Sequence, residues 1–255
     1  MWARIHLPIA KKCNVKCIFC DHNNGSSCHT AKPGYASRLM TPEEAIDRTL
    51  REMQQDNNLK IIAISGPGEP LFNEATFTFL KEIRKRDIDS KLCLSTNGVL
   101  LEESALTLAR LGVDSVSVSM SALNPIVVSK IYEWAIINGV ILRDLEMASQ
   151  IIPRQLEGIK YATELGIAVK VNTILMQGIN NQEIGPLSKK IAEAGAILQN
   201  IVPVIQCGNN PNLIMPELKD IMLARQIGSR NIPQFTHCKQ CRSDVVGIPG
   251  EDRIL

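Results

Sequence analysis

The chain is poor in aromatics, has almost no excess of charge, and carries no long apolar run. Five Phe, three Tyr and two Trp stand among 255 residues. Lys and Arg number 28 against 26 Asp and Glu, a formal net charge of +2, and the basic residues are scattered along the sequence as solvated surface. Such a balance supplies no field for nucleic acid or an anionic membrane. No stretch approaches the roughly 18 apolar residues of a membrane span. Met1-Trp2-Ala3-Arg4-Ile5-His6 lacks the basic, apolar and cleavage regions of a secretory signal, so the expected compartment is the cytoplasm. Internal repeats, low-complexity tracts and linkers are missing too, which predicts one domain over residues 1–255.

Sulfur is plentiful. Cysteines occupy positions 13, 17, 20, 28, 93, 207, 238 and 241. Their even number permits four disulfides, but a chain of this length buries a core without such staples, and the cytosol is reducing. Clustered thiols in that setting bind metal or do redox chemistry. All four histidines, His6, His22, His29 and His237, also lie near cysteines. A metal protein is the expectation.

Short runs of Ile, Val and Leu alternate with amphipathic stretches. Strands are expected at Ala3–Ile9, Leu59–Ser65, Lys91–Ser95, Val113–Met120, Ile167–Leu175 and Ala196–Ile205. Helical patterns follow at Glu74–Arg86, Glu102–Leu111, Arg154–Leu165, Glu183–Ala194 and Pro216–Gly228, and one starts at the capping box Thr41-Pro42-Glu43-Glu44. Six strand–helix units imply an α/β fold with a parallel sheet, doubly wound or curled into a barrel. An eight-unit barrel of about 250 residues is not matched, because only six units are present. The stretch Asn124–Pro153 fits neither element and is expected to be an insertion or lid. In parallel sheets ligands sit at the carboxyl ends of strands. There the sequence places the cysteine cluster, Gly66-Pro67-Gly68-Glu69-Pro70, Ser95-Thr96-Asn97-Gly98, Ser119-Met120-Ser121 and Asn172. One shared site is predicted.

Cys13-x3-Cys17-x2-Cys20 is the most specific signal. Three thiolates on one loop can hold three corners of a [4Fe-4S] cube and leave one iron open. Zinc is the alternative, but structural zinc usually takes two separated pairs of ligands. The triplet, with Phe19 before its last cysteine, resembles the radical S-adenosylmethionine (SAM) superfamily. That resemblance implies a partial (β/α)6 TIM-type barrel in which Cys13, Cys17 and Cys20 carry the catalytic cluster. It also implies that Phe19, Gly66, Gly68, Glu69, Ser95, Asn97 and Asn172 surround SAM, with Glu69 facing its amino group. Singly, each of these residues is equally a turn or a strand cap.

A narrower resemblance is to the NifB family, maturases that build the carbide-containing core of the nitrogenase cofactor. It rests on His6-Leu7-Pro8-Ile9-Ala10-Lys11-Lys12-Cys13-Asn14, Leu92-Cys93-Leu94-Ser95-Thr96-Asn97-Gly98, Lys130-Ile131-Tyr132-Glu133-Trp134 and the tail His237-Cys238-Lys239-Gln240-Cys241-Arg242-Ser243-Asp244. It covers residues 3–253 and implies two further [4Fe-4S] clusters as substrate, one on His6, Cys28 and Cys93, the other on Cys238 and Cys241. Residues 1–40 and 230–255 would then be cluster-binding segments. Two SAM molecules would supply a methyl group and a radical, turning the methyl carbon into the carbide of an [8Fe-9S-C] precursor. Implied partners are cluster-donor proteins, a carrier or scaffold that accepts the product, and an electron donor such as ferredoxin. Cys207 has no role in this scheme. The loop after Cys20 is two residues longer than the family's, with Lys32 in an arginine's place. A paralogue serving another metallocofactor therefore stays open at this point. So does a radical SAM enzyme that uses auxiliary clusters on a peptide, nucleoside or small molecule.

Overall fold

A computed structural model describes residues 2–20, 34–86, 88–206 and 212–255. The chain opens with β1 (Ala3–Leu7) and a short β2 (Val15–Cys17). Three helix–strand units follow: α1 (Pro42–Gln55) into β3 (Leu59–Ile64), α2 (Glu74–Arg84) into β4 (Lys91–Thr96), and α3 (Leu101–Arg110) into β5 (Ser115–Ser119). Next come α4 (Pro125–Ile131) and a hairpin of β6 (Tyr132–Ile137) and β7 (Val140–Leu142). Then α5 (Asp144–Glu164) leads into β8 (Ala168–Leu175), and α6 (Ile184–Glu193) into β9 (Leu198–Pro203). The chain ends with α7 (Leu218–Gly228), β10 (Val245–Gly247) and β11 (Arg253–Ile254).

The expected alternation of strand and helix is present. β1, β3, β4, β5, β8 and β9 form a continuous parallel array in that order, and β10 and β11 extend it antiparallel beyond β1. Strand periodicity divides each parallel strand between two environments. Ile5 and Leu7, Ile62 and Ile64, Leu92 and Leu94, Val116 and Val118, and Val169 and Val171 are buried in one core. Each such side chain contributes about 1.5–3 kcal/mol on burial. The predicted capping box closes at α1. Glu44 N donates to Thr41 Oγ1 at 3.2 Å, and Thr41 N donates to Glu44 Oε2 at 2.9 Å.

One expectation is corrected. Asn124–Pro153 is not an irregular insertion: it holds α4, the β6–β7 hairpin and the first half of α5. Asn124 caps α4 through its side chain, accepting from Ile126 N at 2.9 Å. α5 starts at Asp144 rather than at Arg154, because Pro153 lies on the exposed side of the helix and does not end it. The hairpin pairs with β2, matching Val15 to Ala135, Lys16 to Trp134 and Cys17 to Tyr132. The segment expected to be a lid is therefore a sheet partner of the cysteine loop.

Candidate cluster and cofactor site

The side of the parallel array opposite the core carries mostly short or polar side chains, with Ile61, Ile174 and Val202 among them. Ala63 and Ser65 on or after β3, Ser95 on β4, and Ser117 and Ser119 on β5 face a cavity of about 530 Å3. Closed eight-stranded barrels fill their interior with bulky branched residues; small side chains leave room for a ligand. His6, Phe19, Cys20, Cys93 and Asn172 line the same space, as do Cys238 and Cys241.

The cysteine loop is fixed from two sides. From the hairpin side, Ile136 N donates to Asn14 O at 2.7 Å and Ile18 N to Ile131 O at 3.0 Å. From the β3 side, Gly68 N donates to Ala10 O at 2.8 Å and Glu69 N to Lys12 O at 2.9 Å. Asn73 ties the two segments together, accepting from the backbone N–H groups of Lys11 and Lys12 and donating to the carbonyls of Lys12 and Glu69. Only glycine fits at position 68, where a Cβ would stand 2.4 Å from Lys12 O. Burial, the largest cause, pushes the Cys13 thiol up to about 11 and the Cys17 thiol well above its ordinary value. Iron reverses that preference, since a coordinated thiol is deprotonated. None of the six described cysteines forms a disulfide. Among the described residues no group of three His, Cys, Asp or Glu side chains converges on a single ion position. A cube takes each ligand at a different iron and needs no such convergence.

Glu69 is buried at the end of the Gly66–Pro70 turn. Its Oε1 accepts from Thr96 Oγ1 at 2.6 Å and Leu71 N at 3.0 Å, and its Oε2 from Asn97 N at 2.6 Å. Burial outweighs these donors and raises the carboxyl to about 7. No lysine, arginine or histidine among the described residues pairs with it. Asn97 does not line the cavity: its amide donates to Asn14 Oδ1 at 2.8 Å and reaches the Cys13 sulfur, and its Oδ1 accepts from Val99 N at 3.0 Å.

The C-terminal tail closes the open side of the array. Near β9, Phe235 N donates to Gln199 O at 2.7 Å and Gln240 Nε2 to Pro203 O at 3.0 Å. Near β1, the His6 ring bonds Arg242 O at 2.9 Å through Nδ1, and Arg4 Nη2 reaches Cys241 Sγ at 2.7 Å. Arg242 is chelated by Asp244 at 2.7 Å on both oxygens and stacks 4.8 Å from the Tyr35 ring centroid. A carbonyl only accepts, so His6 Nδ1 carries the proton and Nε2 keeps its lone pair. Burial first, then the charges of Arg4 and Lys170, lower His6 to about 4 and keep it neutral.

The radical SAM superfamily profile matches residues 7–191. The "FeMo cofactor biosynthesis protein NifB" of Klebsiella pneumoniae is 36% identical over 99% of this chain and 55% of its own length. The protein of the same name from Methanocaldococcus infernus is 35% identical over 100% of this chain and 84% of its own length. The chain belongs to the NifB family of radical SAM enzymes. It spans about half of the Klebsiella relative and most of the Methanocaldococcus one. A solved radical SAM methyltransferase from Sphaerobacter thermophilus shares the fold, with a TM-score of 0.62 and 20% identity over 92% of this chain and 64% of that one.

The residues present fit a radical SAM site on three observations. Three soft sulfur donors stand on one anchored loop, as an iron–sulfur cube requires. Glu69 is a buried acid without a cation, and a ligand ammonium would supply one. Ser65 Oγ and Asn200 Oδ1 are buried without a hydrogen-bond partner and belong to residues lining the cavity, where a polar ligand would satisfy them. Ser95, Asn172, Phe19 and Cys20 share that cavity, and Cys13 and Cys17 stand behind its lining; Gly68, Glu69 and Asn97 brace the cysteine loop, and Gly66 lies in the turn before them. Cys28 and Cys207 lie outside the described residues. The sequence reading missed Asn14, Asn73, Arg4, Lys170 and Asn200. For Lys170 and Asn200 a signal existed: two-residue strand spacing puts Lys170 on the face of Asn172, and Asn200 is its register partner on β9. No helix among the described residues is long and apolar enough to cross a membrane.

Proposed function

We propose that this radical SAM enzyme builds the iron–sulfur precursor of the nitrogenase iron–molybdenum cofactor by fusing two [4Fe-4S] substrates with insertion of a carbide and one further sulfur. The observation that carries this reading is the tail. Cys238 and Cys241 lie on the segment that closes the cavity, and they line it together with His6 and Cys93 from β1 and β4. Two ligand sets facing one chamber is what joining two clusters demands.

When bound, a cluster on Cys13, Cys17 and Cys20 and its SAM supply one-electron reductive cleavage and a carbon atom. The chain's own residues do the rest. Glu69 receives the ammonium of SAM, and Ser95 and Asn172 offer hydrogen bonds to its polar groups. Neutral His6, oriented by the Arg242 carbonyl, offers Nε2 to a substrate cluster, as metal-binding histidines usually do when their other nitrogen is engaged. A mixed imidazole and thiolate set, with Cys28 as its third member, grips less firmly than four thiolates, which suits a product that must leave. Cluster donors, an accepting carrier or scaffold and a reductant such as ferredoxin are the partners this chemistry needs.

Anaerobic reconstitution tests the reading. The wild-type chain is expected to hold about 12 irons, three cubes' worth. Cys238→Ser combined with Cys241→Ser should lose about four and still cleave SAM. A double variant with full iron sinks the proposal at its most distinctive point. An enzyme acting on a peptide or nucleoside with inert auxiliary clusters would release no fused cluster to a carrier.

A further inference from the structure

Cluster ligation and SAM binding leave Lys170 without a role in the chamber. Lys170 shares the inner face of β8 with Asn172 and lines the cavity that holds His6, Cys93 and Cys241. Its charge is felt at His6. In register beside it stand Ser117 on β5 and, one strand further, Ser95 on β4. Its ammonium lies 5.5 Å from the Phe235 ring centroid, and no Asp or Glu is among the described residues that line the cavity. Of the other cations that line the cavity, Lys239 lies on the tail and Arg4 is neutralised by Asp252 at 2.9 Å. Lys170 has no such partner among the described residues.

An ammonium taken partly out of water loses hydration, and a single ring face restores only a fraction of it. The chamber thus carries a positive charge with no carboxylate partner among the described residues, beside a row of hydroxyls, an arrangement that an anionic, hydrogen-bond-accepting ligand offsets. Lysine suits this task because its charge is compact and its three N–H donors rotate freely. We propose that Lys170 is the specificity-determining residue that receives the sulfide face of the iron–sulfur substrate, with Ser117 donating beside it. The inference rests on the cluster-fusion reading and assigns it a residue that is not a metal ligand. Bridging sulfides carry negative charge and accept N–H donors, and hydrogen bonds to cluster sulfur set the cluster's potential and hold on its site.

The test uses the full chain, reconstituted anaerobically with ferrous iron and sulfide, as wild type, Lys170→Met and Lys170→Arg. Apo Lys170→Met should melt slightly above apo wild type, because a half-buried charge without a carboxylate partner has been replaced by an apolar group. Once loaded, the same variant should surrender substrate-cluster iron to a chelator about tenfold faster, the loss of one hydrogen bond from a charged donor. The remaining substrate cluster should also reduce at a more negative potential, since a nearby cation favours the reduced form. Lys170→Arg should restore both loaded-state properties. Iron retention and potential unchanged in Lys170→Met overturn the proposal, as does an apo variant that no longer folds, which would make the lysine structural. A wild-type chain that binds only the triplet's iron, about four atoms, sinks the cluster-fusion reading along with this one. Full wild-type loading with an indifferent Lys170→Met sinks this one alone.

Discussion

Replacing Glu69 by Gln preserves the shape of the side chain and removes its charge. In the wild type, three donors converge on two oxygens: Thr96 Oγ1 and Leu71 N on Oε1, Asn97 N on Oε2. A glutamine oxygen can keep the first pair, but its NH2 then opposes the Asn97 N–H. That mismatch costs about 1–3 kcal/mol, partly offset by relief of a buried charge, so the folded protein should survive. Ligand binding should not. A charge-assisted hydrogen bond to an ammonium is worth about 1.5–3 kcal/mol, which is a 10- to 150-fold weaker Kd. Anaerobic equilibrium dialysis of SAM on the reconstituted protein reads this directly. The pH dependence is more diagnostic. Because the wild-type carboxyl titrates near 7 and an ammonium selects the ionised form, affinity should fall about tenfold per unit as pH drops below that point. The Gln variant should be flat. The sign for stability is opposite: the folded state holds a proton that the unfolded chain releases, so Glu69's contribution fades as pH rises from about 4.5 to about 7. Wild type and variant with parallel pH slopes, or affinities within about threefold, would refute the role given to Glu69.

Three further outcomes follow from the same wall and tail. Gly68→Ala should force the turn away from the cysteine loop, since its Cβ would sit 2.4 Å from Lys12 O and 2.8 Å from the Lys11 carbonyl carbon; iron analysis should show loss of the triplet's share. Asn73→Ala removes four side-chain hydrogen bonds to backbone, and urea unfolding should report about 2–4 kcal/mol of lost stability. Asp244→Asn removes the carboxylate that pairs with the buried Arg242 guanidinium at 2.7 Å. A melting curve should fall by on the order of 10 °C, with earlier proteolysis of the tail.

The parallel array was legible because most of its strands are short runs rich in Ile, Val and Leu, mostly followed by Gly, Asn or Pro, and helix-facing residues dominate such runs. The strand-end residues were legible for a related reason: small and acidic groups in turns have few purely structural excuses when they recur at one end of a sheet. The hairpin was not legible from periodicity. Tyr132–Ile137 carries Glu133 and Trp134 in its first half, and β7 is only three residues long. Its turn was the available clue. Asn138 and Gly139 adopt φ of 52° and 78°, the left-handed pair that Asn-Gly favours in two-residue hairpins. The role of the tail was readable only as chemistry, from Cys238 and Cys241. Its attachments run through backbone carbonyls, Gln240 and Arg242, which leave no hydrophobic pattern to detect.

Position of the tail and choice of inner residues answer one physical problem. A six-stranded parallel array leaves its β1 and β9 edges to be covered, and the tail covers both, pairing β10 with β1 and bonding to Gln199 O and Pro203 O on or beside β9. It turns Phe235, His237, Lys239 and Gln240 toward the cavity along with Cys238 and Cys241, so the tail wall is bulky and mixed in character. Ser95, Ser117 and Ser119 keep the strand wall short and polar, giving up the burial that leucines there would supply. Because the core behind the sheet holds the strands without help from the chamber, that loss is tolerated. The chamber's stability and its emptiness are thus carried by different residues of the same strands, Val116 and Val118 facing helices while Ser117 and Ser119 face the ligand space.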